Sequence, residues 1–155
     1  MAGKSLTEVL DEAGVDYELL PHAHTDTAAA EAETLGISSA DVGKTLVLAT
    51  PGGNVRAVLQ ASDRLDFHKL RGLLEGGKRI RLASEEELTR DYPEFELGAV
   101  PPLGGARRDR VLVDRRLAER DSVVVEAGTH EQSLRLATAD LLRLTEAEVA
   151  DLAHD

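Results

Sequence analysis

The chain has 155 residues, of which 42% are hydrophobic and 30% charged, and its formal net charge is −11. This size and hydrophobic fraction predict one soluble globular domain over residues 1–155, and the charged N-terminal segment and the absence of a long apolar stretch predict a cytoplasmic location with no membrane contact. The absence of cysteine excludes disulfides and thiol nucleophiles, and the negative charge, taken alone, argues against a nucleic-acid binder.

Apolar spacing and stop signals predict the elements in chain order. The predicted helices cover residues 7–13, 27–35, 67–74, 84–90 and 139–144, with one more from 146. The predicted strands cover residues 15–20, 45–49, 56–61, 78–83, 111–114, 122–127 and 132–137. Because strands arrive in hairpin-like pairs separated by helices, the pattern favours an α+β fold with a mixed sheet.

Local signals support several of these boundaries. Asp66 is placed to cap the helix at 67–74, and Ser84 with Glu87 forms a capping box. Thr145 with Glu148 predicts a second capping box, which would open a C-terminal helix from residue 146. The proline- and glycine-rich segment 98–105 is predicted to be irregular.

The charge is unevenly distributed. Residues 42–83 carry eight basic and three acidic side chains, a net charge of +5, whereas residues 1–41 carry a net charge of −8. An acidic protein with a basic middle can still present a local anion-binding patch. The candidate patch comprises Lys44, Arg64, Lys69, Arg71, Lys78, Arg79 and Arg81.

Two features could carry chemistry. Lys44 directly precedes a predicted strand, where an ammonium group could hold a phosphate or a polarised carbonyl, although an exposed lysine is the commoner case. The turn from Gly98 to Pro102 could present backbone N–H groups to a carbonyl or an oxyanion, or be an ordinary connection.

Histidines are the remaining candidates. His130, in a loop between two predicted strands, could carry a proton or donate a hydrogen bond, or could simply be exposed. His22 and His24 could converge on a metal, but a zinc site normally needs a third protein ligand. Gly43-Lys44-Thr45 lacks the upstream glycine of a phosphate-binding loop, so nucleotide hydrolysis is not expected.

Collinear segments of the chain together resemble the YbaK / prolyl-tRNA synthetase-associated domain family, the trans-editing aminoacyl-tRNA deacylases. The matching segments are residues 35–37, 42–48, 64–70, 81–84, 98–104, 127–130 and 134–145. The resemblance covers nearly the whole chain. It implies a largely antiparallel, curved central sheet surrounded by helices, and a cytoplasmic hydrolase that removes a wrongly attached small amino acid from tRNA, often tRNA for proline.

The resemblance also implies roles for individual residues. Lys44 and Gly98 would be catalytic, and no metal or other cofactor would be needed. The implied substrate-binding residues are Thr45, Ala99, Val100, Pro101, Pro102, Thr129 and His130. The implied partners are the acceptor end of a mischarged tRNA and prolyl-tRNA synthetase. Such an ester needs no strong protein nucleophile if its carbonyl is held and its oxyanion stabilised.

The amino acid that is removed stays open between cysteine, alanine, serine and a non-protein one. The cysteine-specific branch tends to have an acidic residue where Ser133 stands, and the alanine-specific branch usually has asparagine where Thr45 stands. Two other functions also stay open: a non-catalytic module that binds aminoacyl-tRNA ends or a synthetase, and a metal-dependent hydrolase that uses His22 and His24.

Overall fold

The computed structural model describes residues 3–155, which form short helices and two sheets. The helices are α1 (Leu6–Ala13), α2 (Ala28–Leu35), α3 (Phe67–Leu73), α4 (Glu85–Asp91), α5 (Arg115–Ala118) and α6 (Thr138–Thr145). The strands are β1 (Tyr17–Pro21), β2 (Gly43–Thr50), β3 (Gly53–Gln60), β4 (Arg81–Leu82), β5 (Arg110–Asp114), β6 (Ser122–Thr129), β7 (Gln132–Ala137) and β8 (Glu148–Ala150).

The two sheets differ in strand direction. One is antiparallel with the order β1-β7-β6, and the other has the order β4-β2-β3-β5-β8. In the second sheet β4, β2 and β3 are antiparallel, whereas β3–β5 and β5–β8 pair in parallel. A bridge between Val42 and Val124 joins the start of β2 to β6. The predicted α+β class with mixed strand pairing is therefore confirmed.

The core lies where α1 and α6 cover both sheets. Buried side chains of α1, β3, β5, β6 and β7 form its largest cluster, which includes Leu6, Val58, Val113 and Leu134. Gly43 is part of this close packing, because a Cβ there would lie 3.0–3.3 Å from Leu117, Val58 and Val123. The start of β2 is thus pressed against β6, and residues 44 and 45 follow at the edge of this contact.

Local capping explains most of the helices. Asp66 Oδ1 accepts the backbone N–H groups of His68 and Lys69 at the start of α3. Ser84 and Glu87 form the predicted capping box of α4. The hairpin of β2 and β3 pairs Gly43 with Gln60 and Thr50 with Gly53, as the turn residues between them predict.

Two predictions about local structure are wrong. The segment after 146 is not a helix: Glu146 adopts φ 53°, ends α6, and lets the chain turn into β8 beside β5. The Thr145 hydroxyl donates to the carbonyl of Leu141, and Glu148 pairs with Arg110 at 2.9 Å, so neither residue serves a capping box. The strand predicted at 78–83 shrinks to Arg81–Leu82, because Gly77–Arg79 form a 3₁₀ turn.

In residues 3–155, no helix has the length and apolar character needed to cross a bilayer.

Candidate functional site

Lys44 is the second residue of β2, and hydrogen bonds hold its side chain in place, so that it does not project freely into solvent. Its side chain is half-buried, and its ammonium group donates to the backbone carbonyls of Ala61, at 3.2 Å, and Asp63. Burial lowers the pKa of Lys44, and the nearby Asp63 opposes that shift. Since an ammonium group has three donors, one N–H remains for a ligand.

The Gly98–Pro102 loop stands opposite Lys44. Gly98 adopts φ 82°, a conformation that favours glycine, whereas Ala99 and Val100 are buried. Within residues 3–155, the backbone N–H groups of Gly98 and Val100 donate to no other protein group. Both groups are therefore available as donors to a carbonyl oxygen.

A cavity of about 270 Å³ brings these two features together. Lys44 and Thr45 from β2, Gly98 and Val100 from the loop, and Glu126 from β6 line it. The remaining lining residues are Asp26, Thr27, Ala28, Ala29, Gly43, Leu46 and Ala61.

The other predicted binding residues do not line this cavity. Ala99 is fully buried, Pro101 and Pro102 lie in the loop beyond it, and Thr129 ends β6. Pro102 instead lines a separate cavity of about 480 Å³ with Arg56.

His130 lies behind the loop and is 8% exposed, so it is not a solvent-exposed loop histidine. Its backbone N–H donates to Glu96 Oε2 at 2.9 Å, and its Nε2 lies 2.6 Å from the carbonyl oxygen of Leu97. A Cβ on Gly98 would lie 3.5 Å from the His130 ring. His130 therefore bonds to both Glu96 and Leu97 and holds in place the turn that precedes Ala99.

Arg56 is a structural residue of the site that the sequence did not reveal. It is 1% exposed, and its guanidinium donates to the carbonyls of Pro101 and Gly104, each at 2.9 Å. It also pairs with Asp109 at 3.0 Å and lies over the Tyr92 ring, 5.0 Å from its centroid. Arg56 thereby ties the loop to β3 at its far end.

Buried acidic side chains are the second feature that the sequence did not reveal. Glu126 lines the cavity with a side chain that is 12% exposed, and burial, reinforced by Glu31 and Glu96, raises its pKa to about 8. Burial also raises the pKa of Glu31, whose Oε2 accepts from the Ser133 hydroxyl. The strand pattern could have indicated that Glu126 is largely buried, because Glu126 lies on the same face of β6 as Val124, which is buried.

Comparisons with known proteins identify the family. Residues 22–144 match the model of the aminoacyl-tRNA editing domain. The chain belongs to this family. As a member, it is an aminoacyl-tRNA deacylase, a hydrolase, so the predicted family and enzyme class are confirmed.

Related proteins extend over most of this editing domain. It is 29% identical to the multifunctional Ser/Thr-tRNA deacylase ProXp-y of Escherichia coli (strain K12), over 94% of this chain and 89% of that protein. It is 27% identical to EbsC of Enterococcus faecalis (strain ATCC 700802 / V583), provisionally named a Cys-tRNA(Pro)/Cys-tRNA(Cys) deacylase, over 81% of this chain and 76% of that protein.

A solved structure, described as a candidate trans-editing enzyme for prolyl-tRNA synthetase, shares its fold. It matches with a TM-score of 0.87 and 28% identity, over 97% of this chain and 95% of that one. A second, of the hypothetical protein APE2540, matches with a TM-score of 0.86 and 28% identity, over 96% of this chain and 99% of that one.

The two N-terminal histidines of the editing domain have separate partners. His22 Nε2 lies 2.8 Å from Ser133 Oγ, whereas His24 Nε2 lies 2.8 Å from Asp26 Oδ1. In the part of the chain that the structure describes, no group of three or more His, Cys, Asp or Glu side chains is arranged to hold a metal ion.

The basic middle segment of the editing domain is partly neutralised. Lys69 pairs with Asp151 and Asp155, and Arg81 pairs with Glu87. Between residues 3 and 155, the other exposed cations of the segment form no ion pair; they are Arg64, Arg71, Lys78 and Arg79. Arg64 follows Asp63, whose carbonyl accepts from Lys44, so it lies nearest to the cavity along the chain.

Proposed function

We propose that this deacylase removes a mischarged small amino acid from tRNA, in trans and from tRNA for proline, by positioning the ester carbonyl rather than by a protein nucleophile. The observation that carries the proposal is the shared cavity: Lys44, Gly98 and Val100 line the same space of about 270 Å³. The names of the two relatives, which specify serine, threonine or cysteine esters, support a small amino acid. The candidate trans-editing enzyme for prolyl-tRNA synthetase supports tRNA for proline.

The catalytic step follows from the available donors. The N–H groups of Gly98 and Val100 donate to the ester carbonyl and to the oxyanion that forms when water adds to its carbon. The added water loses a proton to solvent, the ester C–O bond breaks, and the ribose oxygen leaves with a proton from solvent or from a neighbouring ribose hydroxyl that solvent reprotonates. Because the reacting groups are held together, the entropic part of the barrier falls without a covalent intermediate.

Lys44 supplies the positive charge of the site. Its third N–H is free to donate to the ester or to the terminal nucleotide, while Ala61 and Asp63 hold the side chain in place. Thr45 and Val100 form walls of the same space. Ala99, Pro101, Pro102, Thr129 and His130 act in this proposal by shaping and supporting the loop and the turn beside the cavity.

Replacing Lys44 tests the proposal. Lys44→Ala should lower single-turnover hydrolysis of a mischarged tRNA by about 10²–10³-fold, the usual loss when one preorganised donor to the reacting group is removed. The matched control is Lys4→Ala, which removes an exposed lysine outside the basic patch. Both variants should unfold at nearly the wild-type temperature. A folded Lys44→Ala variant with the wild-type rate would remove Lys44 from the site.

A further inference from the structure

Three buried polar atoms lie at Glu126 and at its neighbours His130 and Glu31, and Glu126 itself lines the cavity. They are Glu126 Oε2, His130 Nδ1 and Glu31 Oε1, and none has a hydrogen-bond partner among residues 3–155. Glu126 Oε2 and His130 Nδ1 face each other across 3.9 Å, which is too long for a direct hydrogen bond. Since buried polar atoms are nearly always paired in folded proteins, these three atoms are open to a hydrogen bond from a ligand or from water.

The hydrogen bonds that are present assign protons to these groups. The Leu97 carbonyl can only accept, so His130 Nε2, 2.6 Å away, carries a proton. In the neutral ring His130 Nδ1 is then an acceptor. With its pKa raised to about 8, Glu126 is mostly protonated at neutral pH, and its carboxyl group offers one O–H donor and one carbonyl acceptor.

We propose that Glu126 recognises a hydroxyl group on the amino acid of the substrate, which makes serine and threonine esters the preferred class. This inference rests on the proposed function, because it places the ester between Lys44 and the Gly98–Val100 backbone. Glu126 lines the same cavity as these groups. An amino acid whose carbonyl is held by the loop therefore projects its short side chain within the space that Glu126 borders.

A hydroxyl group matches Glu126 better than other small side chains do. It is both donor and acceptor, as a protonated carboxyl group is, so the two can exchange hydrogen bonds. A methyl group leaves the buried acid unpaired, and a thiol pairs only weakly. The α-ammonium group of the substrate would need an ionised Glu126, which burial and the nearby Glu31 and Glu96 disfavour.

The test compares two esters that differ by one hydroxyl group. The same tRNA is charged with serine or alanine, and kcat/KM is measured at pH 7 for the wild type, Glu126→Gln and Glu126→Leu. We expect the serine-to-alanine ratio to fall at least about tenfold in Glu126→Leu, since a site built for a hydroxyl loses its preference when its partner is apolar. Glu126→Gln, which keeps a donor and an acceptor, should retain most of the ratio.

Matched variants of an exposed acid control for nonspecific effects. Glu119→Gln and Glu119→Leu alter a carboxylate at the end of α5 and should keep the wild-type ratio. Three results would overturn the proposal: a wild-type ratio near one, an equal loss for both esters in Glu126→Leu, or a loss in Glu126→Gln as large as in Glu126→Leu. The last result would show that the ionised carboxylate is needed. A wild-type ratio near one overturns the proposal without any variant, so the proposal can be contradicted even where a variant fails to fold.

Binding of stable analogues separates this inference from the proposed function. Calorimetry with the amide analogues of seryl-adenosine and alanyl-adenosine requires no hydrolysis. A preference for the seryl analogue that disappears in Glu126→Leu supports the role of Glu126, even if the wild type hydrolyses no ester and the proposed function fails. Equal binding of both analogues to the wild type contradicts the role of Glu126.

Discussion

Arg56 and Glu126 are both buried charged residues beside the Gly98–Pro102 loop, but their surroundings differ. Arg56 has its donors satisfied by Asp109 and by the carbonyls of Pro101 and Gly104. Glu126 has a buried oxygen without a partner, and like-charged groups lie nearby. A saturated network, in which every donor and acceptor is paired, holds a structure in place. An unsaturated network, in which buried polar atoms lack partners, raises the free energy of the empty site and leaves those atoms free to bond to a ligand.

The largest effect on stability is expected at the saturated network. Arg56→Met removes the donors to the Pro101 and Gly104 carbonyls and leaves the buried Asp109 carboxylate with only the Tyr92 hydroxyl and Arg107 as partners. Breaking a buried pair costs about 3–5 kcal/mol when the remaining charge has no other partner, so with these two partners retained the free energy of unfolding measured in urea should fall by about 3 kcal/mol, the lower end of that range. Deacylation should also fall, because the loop loses its tie to β3.

Arg71→Met is the matched control for Arg56→Met, because Arg71 is exposed and forms no ion pair within residues 3–155. Its stability should stay near that of the wild type. If the two variants were equally stable, Arg56 would not anchor the loop.

A smaller effect, of the opposite sign, is expected at the unsaturated network. The folded-state pKa of Glu126 is raised to about 8, above the usual 4.5, so its contribution to stability is fully present below pH 4.5 and is lost as the pH rises through 8. Glu126→Gln has no such loss. Its melting temperature relative to the wild type should therefore rise between pH 6 and pH 9.

The groups facing Glu126 are Glu31, Glu96 and His130, and all of them are retained in this comparison. Glu119→Gln, a change at an exposed acid, should show a difference from the wild type that does not vary with pH. A pH-independent difference for Glu126→Gln as well would mean that Glu126 is ionised in the folded protein at neutral pH.

The smallest effect is expected outside both networks, at the exposed cation nearest to the cavity along the chain. Arg64→Ala should weaken tRNA binding a few-fold and lower the slope of log K against log salt by about 0.7–0.9, the value for one phosphate contact. Filter binding between 50 and 200 mM salt, with Arg143→Ala on α6 as the control, measures this. An unchanged slope would exclude a phosphate contact at Arg64. With a net charge of −11, the wild type itself should bind free tRNA weakly.

Structure that depends on neighbouring residues could be predicted from the sequence, whereas structure that depends on long-range contacts could not. Local signals predicted the capped helices α3 and α4 and the hairpin of β2 and β3, because caps and turns depend on neighbouring residues. The region after Thr145 was predicted wrongly as a helix, since its pairing with β5 is a long-range contact that overrides a local capping pattern.

The same difference between local signals and long-range contacts applies to the site. Lys44 and Gly98 are predicted as site residues because their positions match a family motif, and both line one cavity. Arg56 and Glu126 were not found, because each depends on partners far away in the chain: Arg56 on Pro101 and Asp109, and Glu126 on Glu31. Periodicity shows that a face is buried, but it does not show which polar atoms on that face lack partners.

The most direct test of the account is hydrolysis of a panel of mischarged tRNAs by the wild-type protein. The panel carries serine, threonine, alanine or cysteine on tRNA for proline, and is repeated on a second tRNA and with a chelator present. The account predicts release of a small amino acid from tRNA for proline, fastest for the hydroxyl-bearing ones and unaffected by the chelator. Binding without hydrolysis of any ester, or activity that the chelator abolishes, would contradict it.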